Sequence, residues 1–158
     1  MSAGEQPDSF AALHVERTGT VAVALPPVEA FPLFTPEGER AWVRGWNPVH
    51  RHPADGALVA GGVFVTRAHD EPETVWMVVD LDRQALAVTY ARVTPGIRAG
   101  TVRVRCAARD GGGTVATVTY AMTALSPAGN EMLARFTDGH FAAMMAEWEQ
   151  AIVAHLVG

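Results

Sequence analysis

The side chains able to do chemistry are few, and each has an ordinary structural reading beside a functional one. His140 lies on the last apolar stretch of the chain. Its imidazole would titrate at about 6.5 if unperturbed, which suits a general acid or base; the ordinary reading is a half-buried histidine bonded to backbone. Tyr120 shares strand parity with Val118 and Met122, so its phenol should point inward. A buried phenol needs a partner, either a ligand oxygen or a structural acceptor. Tyr90 shares its parity with Val88 and Arg92. An inward Arg92 would call for an anion or a carboxylate. Arginine is seldom fully buried, so an outward Arg92 at a strand end is the expectation.

Other groups offer less. His50 and His52 stand two apart with only Asp55 nearby. A metal site needs three or four ligands from converging elements, so no metal is expected and the histidines read as part of a loop at a pocket mouth. Cys106 lies mid-strand among apolar neighbours, which raises a thiol's pKa and leaves it inert. No Gly-x-Ser-x-Gly elbow occurs. Gly111-Gly112-Gly113 is a hairpin turn and lacks the helix that a phosphate loop requires. Trp42 and Trp46, four apart, either plug an open end of the fold or form a pocket wall.

The elements that must position these groups follow from periodicity. Leu13 to Leu25 alternates and reads as a strand stopped by Pro26-Pro27. Val28 to Phe34 reads as one short helix. A second is started by Thr35-Pro36-Glu37, with Glu39 favouring its positive end, and should run to about Val43. Trp46 to Gly56 reads as loop. Strands follow at Leu58–Ala68, broken by Gly61-Gly62, then at Thr74–Leu81, Leu86–Val93, Ile97–Ala108 and Thr114–Ala124, joined by short turns. Thr74–Leu81 is apolar on both parities and reads as central. Val102, Val104 and Cys106 should face inward, opposite Arg103 and Arg105. Ser126 to Val157 reads as one helix of about 30 residues and ~45 Å. Its broad apolar face carries Leu133, Phe141, Met144, Met145, Trp148, Ile152 and Leu156, and a shoulder carries Phe136, His140 and Glu147. Strands linked by hairpins and closed by one amphipathic helix have a simple solution, in which the sheet curls and its concave face buries the helix.

Composition bounds the function. The chain has 158 residues, 49% hydrophobic and 18% charged, as expected of a folded domain with a real core. Residues 1–12 read as a loose tail and 13–158 as a single domain. The net charge is -5 and all twelve basic residues are arginines, with no basic block for nucleic acid or a membrane surface. The single cysteine excludes a disulfide framework within the chain and favours a reducing compartment. With no basic apolar leader at the start, a cytoplasmic protein is expected.

Three stretches carry a resemblance: Phe31 to Pro48, which contains Thr35-Pro-Glu-Gly-Glu-Arg-Ala-Trp42 and ends Trp46-Asn-Pro48; Tyr120-Ala-Met-Thr-Ala-Leu125; and Met144 to Trp148. With the element order, they make nearly the whole chain resemble the START-like, helix-grip superfamily (SRPBCC-type), in particular its bacterial polyketide-cyclase-like branch of unassigned activity. The resemblance implies an α+β fold in which a seven-stranded curved antiparallel sheet wraps a long C-terminal helix, with two short helices after the first strand. It also implies a deep apolar pocket between sheet and helix and no cofactor. The lining expected there is Trp42, Trp46, Trp76, Tyr90, Tyr120, Phe136, His140 and Met144. The expected function is binding of a small hydrophobic, aromatic or lipid-like molecule, by a monomer or homodimer that inserts in no membrane. One alternative is a cyclase or dehydratase with His140 or Tyr120 as acid–base. Another is a co-chaperone-like or stress-response interaction domain.

Overall fold

The structure, a computed structural model, describes residues 10–68 and 71–158. One antiparallel sheet has the order β1-β7-β6-β5-β4-β3-β2. Its strands are β1 (His14–Val23), β2 (Val49–His52), β3 (Val63–Thr66), β4 (Thr74–Asp82), β5 (Ala87–Thr94), β6 (Arg98–Ala108) and β7 (Thr114–Ala124). Between β1 and β2 come a short helix α1 (Pro27–Ala30) and single 3-10 turns at Phe31–Phe34 and Gly38–Ala41; α2 (Pro127–Ala134) and α3 (Asp138–Val157) end the chain. This is the helix-grip arrangement expected. The alternation on β6 is as read, with Val102, Val104 and Cys106 buried and Arg103 and Arg105 exposed. No described helix is long and apolar enough to cross a membrane.

Four details differ from the sequence reading. The last helix is two helices. Ser126 caps α2, its Oγ accepting from Gly129 N at 3.0 Å. Thr137 then adopts an extended backbone, and its Oγ1 accepts from His140 N at 3.1 Å, starting α3 anew. Glu147 is consequently on the exposed side of α3, away from Phe136. Second, β2 falls where a loop was expected; it is a polar edge strand pairing only β3, so no apolar alternation announces it. Third, β4 is interior in the sheet, but its outer residues Val75, Met77 and Val79 are 41–49% exposed, so only one face is covered. Fourth, the turn after Thr35 ends at Ala41. Four prolines between Pro26 and Pro36 keep the segment to short turns. Of the tail expected over residues 1–12, positions 1–9 lie outside the described residues. From there the chain is tied to α2, since Asn130 Nδ2 donates to Ala11 O and Leu13 N donates to Asn130 Oδ1.

The seat of α3 decides where space is left. The helix packs chiefly on β1 at one edge of the sheet. Phe141, Met145 and Ile152 are its buried residues. Gly19 on β1 makes the close approach possible: a Cβ there would lie 2.9 Å from Met145 Cγ and 3.0 Å from Phe141 Cε2. Polar ties hold the seat. Ala22 N, on the free edge of β1, donates to Glu149 Oε1 at 2.7 Å. Arg17 Nε donates to Phe136 O at 3.1 Å and lies 3.3 Å from the Asp138 carboxylate. The edge strand is thereby covered. Gly19→Leu should lift α3 from β1 and cost about 2–3 kcal/mol, lowering the melting temperature by roughly 4–10 °C. Thermal unfolding followed by circular dichroism checks this; an unchanged midpoint would contradict the close seat.

Candidate functional site

Because α3 leans on β1, the β3–β5 half of the concave face is not filled by the helix. A cavity of about 970 Å³ lies there, between the strands, the 31–46 segment and the Met144–Trp148 turn of α3. Its mouth is flanked by exposed residues, Arg44 and Gly45 on one side and Arg67 and Ala68 on the other.

The walls are aromatic and tied in place. Phe64 and Trp76 stack in parallel, 5.6 Å apart at 6°. Trp46 meets Trp76 edge-on at 5.7 Å, and Tyr90 meets both Phe64 and Trp76 edge-on at 6.2 Å. Their polar atoms are satisfied by the protein. Trp46 Nε1 donates to Pro36 O at 2.8 Å, Trp76 Nε1 to Thr66 Oγ1 at 2.9 Å, and Tyr90 OH to Phe34 O at 2.9 Å. Such bonds fix ring orientation and leave flat apolar faces for an occupant. The loop below is clamped in turn. Glu37 Oε2 accepts from Arg40 Nε at 2.8 Å and pairs with His50 Nε2 at 2.6 Å. These bonds, the one from His50 first, hold the Glu37 carboxyl below its usual range. His50 is therefore a structural partner of Glu37. Among the described residues no three metal-ligating side chains converge.

Glu39, Tyr120, Arg98 and Arg92 are among the polar side chains that line the cavity. Glu39, on the 3-10 turn, is half-buried and faces the cavity, not bulk solvent. Burial pushes its carboxyl up to about 8, so it is mostly neutral at pH 7. The Tyr120 phenol is pushed up to about 12, chiefly by burial, and no described residue bonds it. Arg98 is held by Glu71 at 3.2 Å and by the sulfur of Met132. Arg92 lies with its guanidinium carbon 4.5 Å from the centre of the Trp76 ring. Its Nε is buried with no acceptor among the described residues. Burial, with Arg98 adding repulsion, lowers Arg92 to about 10, which leaves it charged at neutral pH.

The expected site residues are thus partly gathered. Trp46, Trp76, Tyr90, Tyr120 and Met144 line the cavity. Trp42 does not: it is buried behind the wall, edge-on to Phe34 at 5.9 Å and Trp148 at 5.4 Å, its Nε1 donating to Leu33 O. Phe136 and the exposed His140 border a smaller adjoining depression of about 350 Å³, which Arg92, Tyr120 and Met144 separate from the main space. Arg92 points inward, against expectation, because its strand neighbours are Trp76, whose ring it covers, and Gly100, which leaves room. Glu39 was read only as a helix-start acid. Its burial follows from the turn geometry alone.

No protein-family model matches the chain, and no curated protein matches it in sequence. Solved structures do match. Norcoclaurine synthase from Thalictrum flavum, in complex with dopamine and hydroxybenzaldehyde, is similar at TM-score 0.61 and 12% identity, covering 98% of this chain and 95% of that one. The ginseng major latex-like protein 151 from Panax ginseng is similar at TM-score 0.65 and 11% identity, over 90% and 97%. An uncharacterized protein from Rhizobium leguminosarum is similar at TM-score 0.65 and 16% identity, over 91% and 97%. At these identities the likeness is one of fold alone: the chain has the helix-grip fold.

The buried Glu39 links stability to pH. Its carboxyl binds a proton more tightly folded than unfolded, so its stabilisation is complete below about pH 4.5. It declines as pH rises through 8, where the buried group ionises. Glu39→Gln removes that loss. The variant should melt about 4–8 °C above the parent at pH 9, with the difference shrinking toward pH 5. Melting curves across that range check it, and a constant offset would rule out the raised carboxyl.

Proposed function

We propose that this protein binds a small, largely apolar aromatic molecule in the sheet–helix cavity. The observation that carries the reading is the cavity itself: about 970 Å³, with a wall of pre-oriented rings and charged side chains beside it. Ligand sites commonly have this size and make-up. A structure of the same fold holds dopamine and hydroxybenzaldehyde, both aromatic. The size of the cavity favours a pocket function over a surface-only interaction module. The single cysteine, Cys106, is buried and pushed up to about 11 by that burial, which suits the reducing cytoplasm.

Trp46 and Trp76 make the occupant visible. Titration with 2-naphthalenemethanol should quench or shift tryptophan fluorescence with saturation in the micromolar range, on the order of 8 kcal/mol or less of binding free energy. Val104, whose side chain lines the cavity, is the control. Val104→Phe should weaken binding about tenfold or more by occupying the space, with the fold retained. Absence of saturable binding by the parent protein would end the reading.

A second reading is favoured by one specific feature, a carboxyl of pKa about 8 sharing a cavity with an unbonded phenol. That pair suits proton transfer at a carbon beside a carbonyl: ionised Glu39 takes the proton and the Tyr120 hydroxyl donates to the enolate oxygen. The acid–base is then Glu39 with Tyr120, and His140 is too exposed to serve. Exchange of the α-protons of 2-acetonaphthone in heavy water, followed by NMR, should be accelerated by the protein, rise with pH toward 8, and fall about a hundredfold or more in Glu39→Gln. Equal exchange rates in the variant would exclude it.

A further inference from the structure

We propose that the occupant is an aromatic monocarboxylate, held through its carboxylate by the guanidinium of Arg92 where that side chain lines the cavity. The inference rests on the binding reading above and adds the charge and orientation of the ligand.

Among the described residues, Arg92 carries the buried side-chain nitrogen left without a hydrogen-bond partner. Its Nε is shut off from water and meets no acceptor among the described residues. A buried guanidinium in that state is costly unless an anion completes it. The neighbouring charges do not. Glu71 is already engaged by Arg98 at 3.2 Å. Glu39 is mostly neutral at pH 7, its proton held by burial. Arg67 and Glu73 lie 3.9 Å apart outside. Among the described residues, Arg92 is therefore the buried positive charge of the cavity left without a counter-ion, while Arg44 lies exposed at the mouth.

The geometry selects the kind of anion. The guanidinium lies over the Trp76 ring, which fixes its plane. A fixed planar fork matches the two oxygens of a carboxylate. Gly100, opposite Arg92 on β6, brings no side chain into the space beside it. From that point the rings of Trp76, Phe64 and Tyr90 run toward Trp46, so a carboxylate on Arg92 directs an attached ring system along the aromatic wall. A dianion such as a phosphate monoester would need a second cation beside Arg92; Arg98 is committed, and Arg44 lies exposed at the mouth.

Matched ligands test this without any substitution. At pH 7, 2-naphthoate should bind the protein at least about tenfold tighter than 2-naphthalenemethanol, and tighter than 2-naphthyl phosphate, by tryptophan fluorescence or calorimetry. In Arg92→Gln the preference for naphthoate over the alcohol should fall to within about twofold. Arg92→Lys, which keeps the charge but not the fork, should recover only part of the preference. Equal binding of naphthoate and alcohol by the parent overturns the assignment and leaves the aromatic-binding reading standing. So does a preference that survives in Arg92→Gln, or a preference for the phosphate. Failure of all three compounds to bind removes both.

Discussion

The constraint on which the rest depends is the seat of α3 on the edge strand β1. A helix gripped symmetrically by a curved sheet would fill the concave face. Here Gly19 draws Phe141 and Met145 down onto β1, and Glu149 closes the free edge by accepting from Ala22 N. The helix is therefore displaced to one side of the sheet. The other half of the concave face must be covered by something shorter, and the 27–46 segment is what the chain supplies. Proline keeps that segment to single turns, so it lays side chains over the sheet without a second long helix to fill the gap. The cavity is the volume that this division leaves.

A cavity of that size is held open by the way its walls are tied. Phe34 and Trp42 pack against Trp148 and buttress the helix side. On the strand side, the Phe34 carbonyl accepts from Tyr90 and fastens the covering segment to the sheet, while the Pro36 carbonyl accepts from Trp46 within that segment. Collapse would break these bonds in a buried setting, where each unmade bond costs about 1–3 kcal/mol. The same bonds use up the hydrogen-bonding capacity of the wall. What remains for an occupant is concentrated in Arg92, Tyr120 and Glu39.

Much of the fold was legible because alternation survives wherever one face of a strand is wet. β6 and β7 read correctly residue by residue, down to Arg103 and Arg105 facing solvent. β2 was not legible, since its residues His50, Arg51 and His52 are polar and serve an edge. The break at Thr137 was hidden because the apolar pattern continues across it; only the Thr-Asp pair at a helix start betrays it. The cavity was less legible than the fold. Trp46 and Trp42 carry the same side chain four residues apart, and the turn sends one to the cavity and the other behind its wall. Arg92 looked like a surface arginine because its reason for pointing inward, the face of Trp76 across the ladder, is a tertiary contact. Glu39 had no signal at all beyond its place in a turn, since burial of a carboxyl is a property of the assembled lid.

The three cavity groups come from far apart in the chain, yet they act on a common centre. Tyr120 feels three charged neighbours: Arg92 and Arg98 lower its pKa and Glu39 raises it. The proton on Glu39 and the charge on Arg92 therefore sit in one electrostatic enclosure. Below pH 8 the enclosure is positive, with Glu39 neutral and Arg92 unmatched. Above pH 8 an ionised Glu39 adds a negative charge to the cavity wall and repels an entering anion. Bound anion and ionised Glu39 thus compete, and by linkage an anion entering near pH 8 must draw a proton onto Glu39. The burial that raises one carboxyl leaves the guanidinium unmatched, so it is the neutral state of Glu39 that keeps this cavity receptive to an anion at neutral pH.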